Sequence, residues 1–305
     1  MHKIFYSFIF FILISNTNFA KSKAPSDVDG AVQSAVLRMN LKQGLKYLYT
    51  TNTSQVISQE IMGNKMNIKQ HTTIDYIYEV LKSNTNGLQI KTTYQSISIS
   101  TDTPEGNISY DSKKQENNDS PFKDIEAIVG KSFTMYVSPE GEVTQVEGME
   151  SIINSFAKDD PAQQLLKQQF SDSAFINIMN AALNIYPNKE IDLGESWRKD
   201  SSAEMAGLMA TDMQNTYTLT DIKGNDAVIS LTSILKLSPL SGEGILSNMK
   251  INLQGTQKGT INTHITSGLI ISSTINQEIT GTLSAQGLEI PMNITSEITV
   301  TGKEM

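Results

Sequence analysis

From Leu41 onward, apolar residues fall at every second position, and this alternation constrains the fold more than any other feature of the chain. Leu45, Tyr47 and Tyr49 open the first run. Thr72, Ile74, Tyr76, Tyr78 and Val80 repeat it. Leu88, Ile90, Thr92 and Tyr94 follow the turn Ser83-Asn84-Thr85-Asn86-Gly87. A side chain every two residues on one face is the geometry of a strand, and Asn/Gly turns between such strands make hairpins. Ser and Thr fill the opposite phase, which suits a face turned to water.

The pattern continues downstream. Phe133, Met135 and Val137 form a strand that Ser138-Pro139-Glu140-Gly141 turns back into Val143 to Val146. The polar stretch 111–124 reads as a loop. Ala227, Ile229, Leu231, Ser233, Leu235 and Leu237 alternate again. Later runs are Met249 to Thr256, Gly259 to Thr266, Leu269 to Gly281, and Ile294 to Thr301. Thr266-Ser267-Gly268 marks a tight hairpin.

Helical spacing is confined to the middle. Met149, Ile152, Ile153 and Phe156 form one stripe. Asp159-Asp160-Pro161 separates it from Leu165, Leu166 and Phe170. The clearest helix carries Phe175, Ile178, Met179, Ala182 and Leu183, with Ser171, Asp172 and Ser173 as N-cap candidates and Pro187 as its stop.

These spacings predict an α+β fold, mainly antiparallel β. The expected form is a large curved sheet or half-barrel with two or three helices packed on one face. One β-rich domain spans 41–305, with strands over 41–147, a helical middle over 148–187 and strands over 210–303. Residues 21–40 read as a mobile lead-in.

The N-terminus implies export. Met1-His2-Lys3 precedes an apolar run, Ile4 to Ile14, and then Phe19-Ala20-Lys21. A positive start, an apolar segment too short to span a bilayer and a small residue at the cut describe a signal peptide, here 1–20. No later segment has the length and apolarity of a transmembrane helix. The expected location is periplasmic or secreted. The chain has no Cys, so neither disulfides nor a lipid-modified Cys after the signal are expected, and stability must come from a core.

Composition excludes further classes. The formal net charge is −8, and Arg occurs only at Arg38 and Arg198. Nucleic-acid binding needs clustered cations against phosphates, and this surface lacks them. Beyond the signal, only His71 and His264 remain, with no His-x-x-x-His spacing, so a zinc site is not expected. Asp27-Val28-Asp29-Gly30 lacks the acidic residue that a calcium loop needs further on. Gly194-Glu195-Ser196-Trp197 lacks the second Gly of a nucleophile elbow and reads as a loop that tucks Trp197 onto the sheet. Gly242-Glu243-Gly244 opens no helix and reads as a loop tip. Asp159-Asp160 and Glu190 with Asp192 fit caps and solvated links. No catalytic residue, metal or cofactor is expected.

The apolar helical stripes carry the one functional alternative. Ile152, Ile153, Phe156, Leu165, Leu166, Phe170, Phe175, Ile178 and Met179 are either plain core or the lining of an apolar cavity between helix and curved sheet. The leading expectation is a non-catalytic envelope protein that binds a lipid or other apolar small molecule, or an envelope protein partner. A structural display protein without a cavity, a transmembrane β-barrel and an enzyme of unrecognised type are the alternatives.

Three phrases carry a resemblance. Gly130-Lys131-Ser132-Phe133 with Ser138-Pro139-Glu140-Gly141, Ile185-Tyr186-Pro187 through Gly194-Glu195-Ser196-Trp197, and Thr266-Ser267-Gly268-Leu269 resemble an uncharacterised family of exported bacterial proteins, a domain of unknown function. The resemblance covers most of 41–303 and implies no activity. A weaker, fold-level resemblance is to periplasmic lipoprotein carriers, which implies a curved antiparallel sheet around an acyl-chain cavity.

Overall fold

A computed structural model describes residues 33–61, 63–114, 123–154, 171–205, 209–239, 250–285 and 287–305. The expected signal peptide over 1–20, Asp27-Val28-Asp29-Gly30, Asp159-Asp160-Pro161 and Gly242-Glu243-Gly244 lie outside these residues.

Each alternating run becomes a long strand joined to its neighbour by a short turn. In chain order these are β1 (Ser34–Val36), β2 (Lys46–Ile61), β3 (Asn64–Asn84), β4 (Gly87–Thr103), β5 (Gly106–Asp111), β6 (Ser132–Val137) and β7 (Val143–Glu147). Two helices follow, α1 (Glu150–Ile153) and α2 (Asp172–Leu183). Then come β8 (Glu190–Asp192), β9 (Ser196–Met205), β10 (Met209–Lys223), β11 (Asp226–Pro239), β12 (Lys250–His264), β13 (Ile270–Ala285) and β14 (Leu288–Glu304). The β3–β4 turn shows why the sequence makes a hairpin there. Thr85 and Asn86 are the only residues between paired Asn84 and Gly87, the Asn84 side chain accepts from the Asn86 amide, and Gly87 has φ 136°.

The strands form one antiparallel 12-stranded sheet in the order β7-β6-β4-β3-β2-β14-β13-β12-β11-β10-β9, with β5 also on β4. The β14–β2 pairing sets the last strand against the first long strand at the centre of the sheet. The sheet is not closed by hydrogen bonds, since β7 and β9 end the path. The helix α2 lies in contact with both of these edge strands. The Asn180 amide clamps the β7 backbone: its Oδ1 accepts from the Val143 amide at 2.6 Å and its Nδ2 donates to the Val143 carbonyl at 3.2 Å. On the other side, the Lys199 ammonium of β9 donates to Asn184 Oδ1 at 3.0 Å. The sheet therefore curls until one helix bridges its edges.

This corrects the expected α+β architecture. The protein is mostly antiparallel β with two short helices among the described residues, and α2 fills a seam rather than covering a sheet face. The physical reason is the curl. Inward side chains from opposite parts of the sheet bury one another, so the sheet needs no helical layer over its apolar face. The turn after α2 agrees with the Pro187 stop, and Ser171 is its N-cap, accepting from the Ala174 amide.

Two further boundaries move. The lead-in ends before Ser34, because β1 pairs with β8 and Leu37, Met39 and Leu41 are buried in the main core. The stretch around 190–205 contains strands β8 and β9. The small β1–β8 sheet covers one end of the curled sheet, tied down by Met39 to the Pro139 carbonyl and Asn40 to the Ser267 carbonyl.

The core has two apolar clusters. The larger lies under the β1–β8 sheet and includes Tyr49, Tyr78, Ile97, Phe133, Trp197, Tyr217, Ile229 and Ile275. The smaller includes Ile57, Ile68, Met213, Leu235, Leu253, Ile279, Ile290 and Ile294.

Candidate functional site

The strand register sets up the most unusual feature of the interior. Thr101 pairs with Gln70, Gln70 with Gln55, Gln55 with Ser296, and Ser296 with Gln277. Gln277 pairs with Gln257, Gln257 with Ser233, Ser233 with Asn215, and Asn215 with Lys199. One row therefore crosses β4, β3, β2, β14, β13, β12, β11, β10 and β9, and every position on it is polar. All of these residues lie in the inward phase. The next row on one side runs Ile57, Ile294, Ile279, Gly255, Leu235 and Met213, within or beside the smaller cluster. On the other side Ile298, Ile275, Gly259, Leu231, Tyr217 and Trp197 lead into the larger one. A polar belt thus separates the two apolar clusters.

Much of the belt satisfies itself. Gln55 Nε2 donates to Ser296 Oγ at 3.1 Å, and Gln70 Nε2 to Thr101 Oγ1 at 3.2 Å. Ser233 Oγ donates to Asn215 Oδ1 at 2.6 Å, and Asn215 Nδ2 to Ser201 Oγ at 3.2 Å. Gln257 and Gln277 are the exception. They are 1% and 2% exposed, and neither amide oxygen nor either amide nitrogen has a hydrogen-bond partner. An unpaired buried amide costs about 1–3 kcal/mol.

Their position is fixed by glycine on both sides. In Gly255-Thr256-Gln257-Lys258-Gly259 the two glycines share the inward phase with Gln257. A Cβ on Gly255 would meet the Glu278 carbonyl at 2.2 Å, and one on Gly259 would meet the Ile275 side chain at 2.4 Å. The side chains of Ile279 and Ile275 therefore lie over the glycines, above and below Gln277.

The residues expected to line an apolar cavity divide between core and seam. Ile152 is fully buried in the larger cluster, and Ile153 packs partly buried against it. Phe175 is buried, with its ring edge-on to Phe133 at 4.7 Å between centroids. Met179 packs on the larger cluster and Ile178 on the smaller, so α2 spans both. Phe156, Leu165, Leu166 and Phe170 lie outside the described residues.

The outward face is polar. At the level of the belt it carries a trough of about 780 Å³ that crosses β4, β3, β2, β14, β13 and β12. Lys69, His71 and Lys258 line it with Asp102, Glu278 and Glu297. His71 contacts Ser54 Oγ at 3.0 Å through Nδ1. His264 stands on a separate part of the sheet, with Nδ1 2.6 Å from Asp226 Oδ1.

Among the described residues, no three His, Cys, Asp or Glu side chains converge as metal ligands. The carboxylates with displaced acidity, Asp75, Glu140, Glu195 and Asp221, are all more acidic than usual. General-acid chemistry would need the opposite shift. Ser196 sits where β8 turns into β9, hydrogen-bonded to Thr218 Oγ1 at 2.8 Å, and no helix follows it. Trp197 is buried, stacked on Tyr217 at 5.7 Å, and its Nε1 donates to the Ile185 carbonyl at 2.7 Å.

The model of DUF6263, a family of unknown function, matches residues 85–270. The chain belongs to DUF6263. The DUF6263 match begins at the β3–β4 turn and ends at the first residue of β13, so β2, β3, β14 and the rest of β13 complete the sheet from outside it. The belt crosses that boundary, with Gln257 inside the match and Gln277 outside. Among curated proteins, none matches the sequence.

Solved structures give only faint likenesses. An outer-membrane channel from Pseudomonas putida F1 is 10% identical at TM-score 0.20, covering 92% of this chain and 100% of that one. The β domain of the Bordetella autotransporter BrkA is 6% identical at TM-score 0.24, covering 84% and 98%. The translocator domain of the autotransporter NalP from Neisseria meningitidis is 6% identical at TM-score 0.22, covering 84% and 88%. Scores of this size carry no property of those proteins to this DUF6263 chain.

Proposed function

We propose that this protein is an exported, non-catalytic component of the cell envelope that holds a small molecule with an apolar part inside its curled sheet. The observation that carries this reading is the polarity of the two faces. On β12, Ile251, Leu253 and Ile261 point inward and are buried, while Asn252, Gln254, Thr256 and Lys258 point outward and are exposed. The same division runs through β11, β13 and β14. A lipid-embedded barrel requires the reverse, an apolar band outside and a polar lumen. Export follows from the signal pattern over residues 1–20.

The test is native mass spectrometry of the protein purified gently from its own envelope or medium, with organic extraction of whatever co-purifies. A stoichiometric apolar or amphipathic molecule is the expected result. A clean apo mass, together with failure to take up an apolar fluorophore, would refute the reading. A second reading, a protein partner in the envelope, is favoured by the mixed-charge trough. Capture of one envelope protein, lost with Lys69→Glu and Lys258→Glu, would support it.

A further inference from the structure

We propose that Gln257 and Gln277 form the head-group site of that molecule, and that the head is uncharged and carries both hydrogen-bond donors and acceptors, as a hydroxyl or amide group does. The inference rests on the container reading and names the chemistry of its ligand.

The two glutamines lack hydrogen-bond partners. Side by side on β12 and β13, they present two amide oxygens and two NH₂ groups to the interior with no partner for any of them. A hydrocarbon in that position leaves all of them unpaired. An ionised head is equally unsuited, because the belt offers it no counter-charge. The row contains no Asp or Glu, and its one cation, Lys199, stands at the far edge with its ammonium donated to Asn184. A buried charge without a partner is far more costly than a buried amide. A hydroxyl or amide donates to a glutamine oxygen and accepts from a glutamine NH₂ at once.

The surroundings give the ligand a direction. On the side of the larger cluster, the belt abuts Ile298, Ile275, Leu231 and Tyr217; farther along, beyond Thr53 and Thr51 on β2, stand Tyr49, Tyr76 and Tyr78, whose rings pack within 6 Å of one another under the β1–β8 sheet. On the other side lie Ile57, Ile279 and Ile294, with Met209 and Met292 only partly buried. Methionine is the most adaptable apolar side chain, so the tail of an amphiphile fits toward this second cluster. Water is the competing occupant, since a polar site of this kind takes ordered water when nothing else fills it.

The experiment displaces the uncharged fluorophore N-phenyl-1-naphthylamine from the exported protein, with 1-monolauroylglycerol and laurate as competitors below their micelle concentrations. Wild type is expected to prefer monolauroylglycerol over laurate by at least tenfold. In Gln257→Leu/Gln277→Leu that preference falls at least tenfold while affinity for the fluorophore stays within twofold. A melting temperature no lower than wild type shows that the variant is folded. Should it fold poorly, Gln277→Asn, which keeps the amide but withdraws it by one methylene, is expected to lose the same preference. If the variants bind monolauroylglycerol as wild type does, the belt holds water only and the head-group site is refuted, with the container intact. If wild type binds neither fluorophore nor amphiphile, the container reading itself falls.

Discussion

Asn180 is the residue on which the seam most directly depends. It stands on α2, and its amide takes the place of a neighbouring strand for Val143 by accepting from its N–H at 2.6 Å and donating to its carbonyl at 3.2 Å. Val143 is 1% exposed, so water cannot replace either bond without opening the edge. In Asn180→Leu both backbone groups lose their partner at nearly constant side-chain volume. Each buried group left unsatisfied costs about 1–3 kcal/mol, which gives roughly 2–4 kcal/mol once partial relaxation is allowed. In a domain of this size, about 1 kcal/mol moves the melting temperature by roughly 2–4 °C, so a fall of about 4–16 °C is expected. Thermal unfolding followed by circular dichroism measures the loss. Amide hydrogen exchange locates it, because Val143 should exchange faster while the centre of the sheet, for example Gln55 opposite Ser296, keeps its protection. A variant with wild-type melting temperature and an unchanged Val143 amide would refute the claim that α2 closes the seam through this side chain.

Three further perturbations probe other parts of the molecule. Gly268→Ala places a Cβ 2.2 Å from the Arg38 carbonyl at φ 63°, so a loss of about 1–3 kcal/mol is expected in urea unfolding. Phe175→Ala removes a buried ring set edge-on to Phe133 and should cost about 3–5 kcal/mol by the same assay. For Asp75, burial raises the pKa, but hydrogen bonds from Thr50, Lys113 and Ser96 outweigh it and hold the carboxyl below its usual value. The folded state thus releases this proton more readily than the unfolded chain. The stabilisation is complete above the unfolded carboxylate pKa of about 4 and is lost as pH falls through the folded value. Asp75→Asn should therefore be less stable than wild type at pH 7, with the gap narrowing below about pH 4 in urea midpoints measured against pH.

The strands were the legible part of the sequence, because a half-buried strand writes its two faces directly into alternate positions. The turn at Asn84 to Gly87, the hairpin ending at Gly268 and the N-cap at Ser171 all stand where local chemistry places them. The architecture was less legible. The stripe Phe175, Ile178, Met179 announces a buried helix face, but periodicity does not say whether that face meets a sheet surface or bridges two edges. Here Met179 and Ile178 belong to different clusters. The β1 strand was hidden because three residues give too short a run for alternation to register. The belt left a signal that single strands could not interpret. Ser233 stands between Leu231 and Leu235, Gln277 between Ile275 and Ile279, and Ser296 between Ile294 and Ile298, each a polar residue in an apolar phase. Only the register between strands places these interruptions on one row.

That row separates a packed interior from a binding interior. An apolar core of ordinary kind has no use for Gln257 and Gln277, since leucine has nearly the same volume and no amide to desolvate. With the interior empty of ligand, Gln257→Leu/Gln277→Leu should therefore be more stable than wild type, by about 1–3 kcal/mol for each amide that water leaves unsatisfied. Ligand reverses the order. A molecule that binds only the folded protein stabilises it by an amount that grows with the logarithm of its concentration over its Kd, about 2.7 kcal/mol at a hundredfold excess over Kd. Monolauroylglycerol should therefore raise the wild-type melting temperature steadily and leave the leucine variant near its starting point, so that the two melting curves cross as concentration rises. A core that is merely imperfectly packed predicts the first difference and no crossing. A hydrated belt predicts neither, because water that already satisfies both amides makes the leucine pair destabilising from the outset.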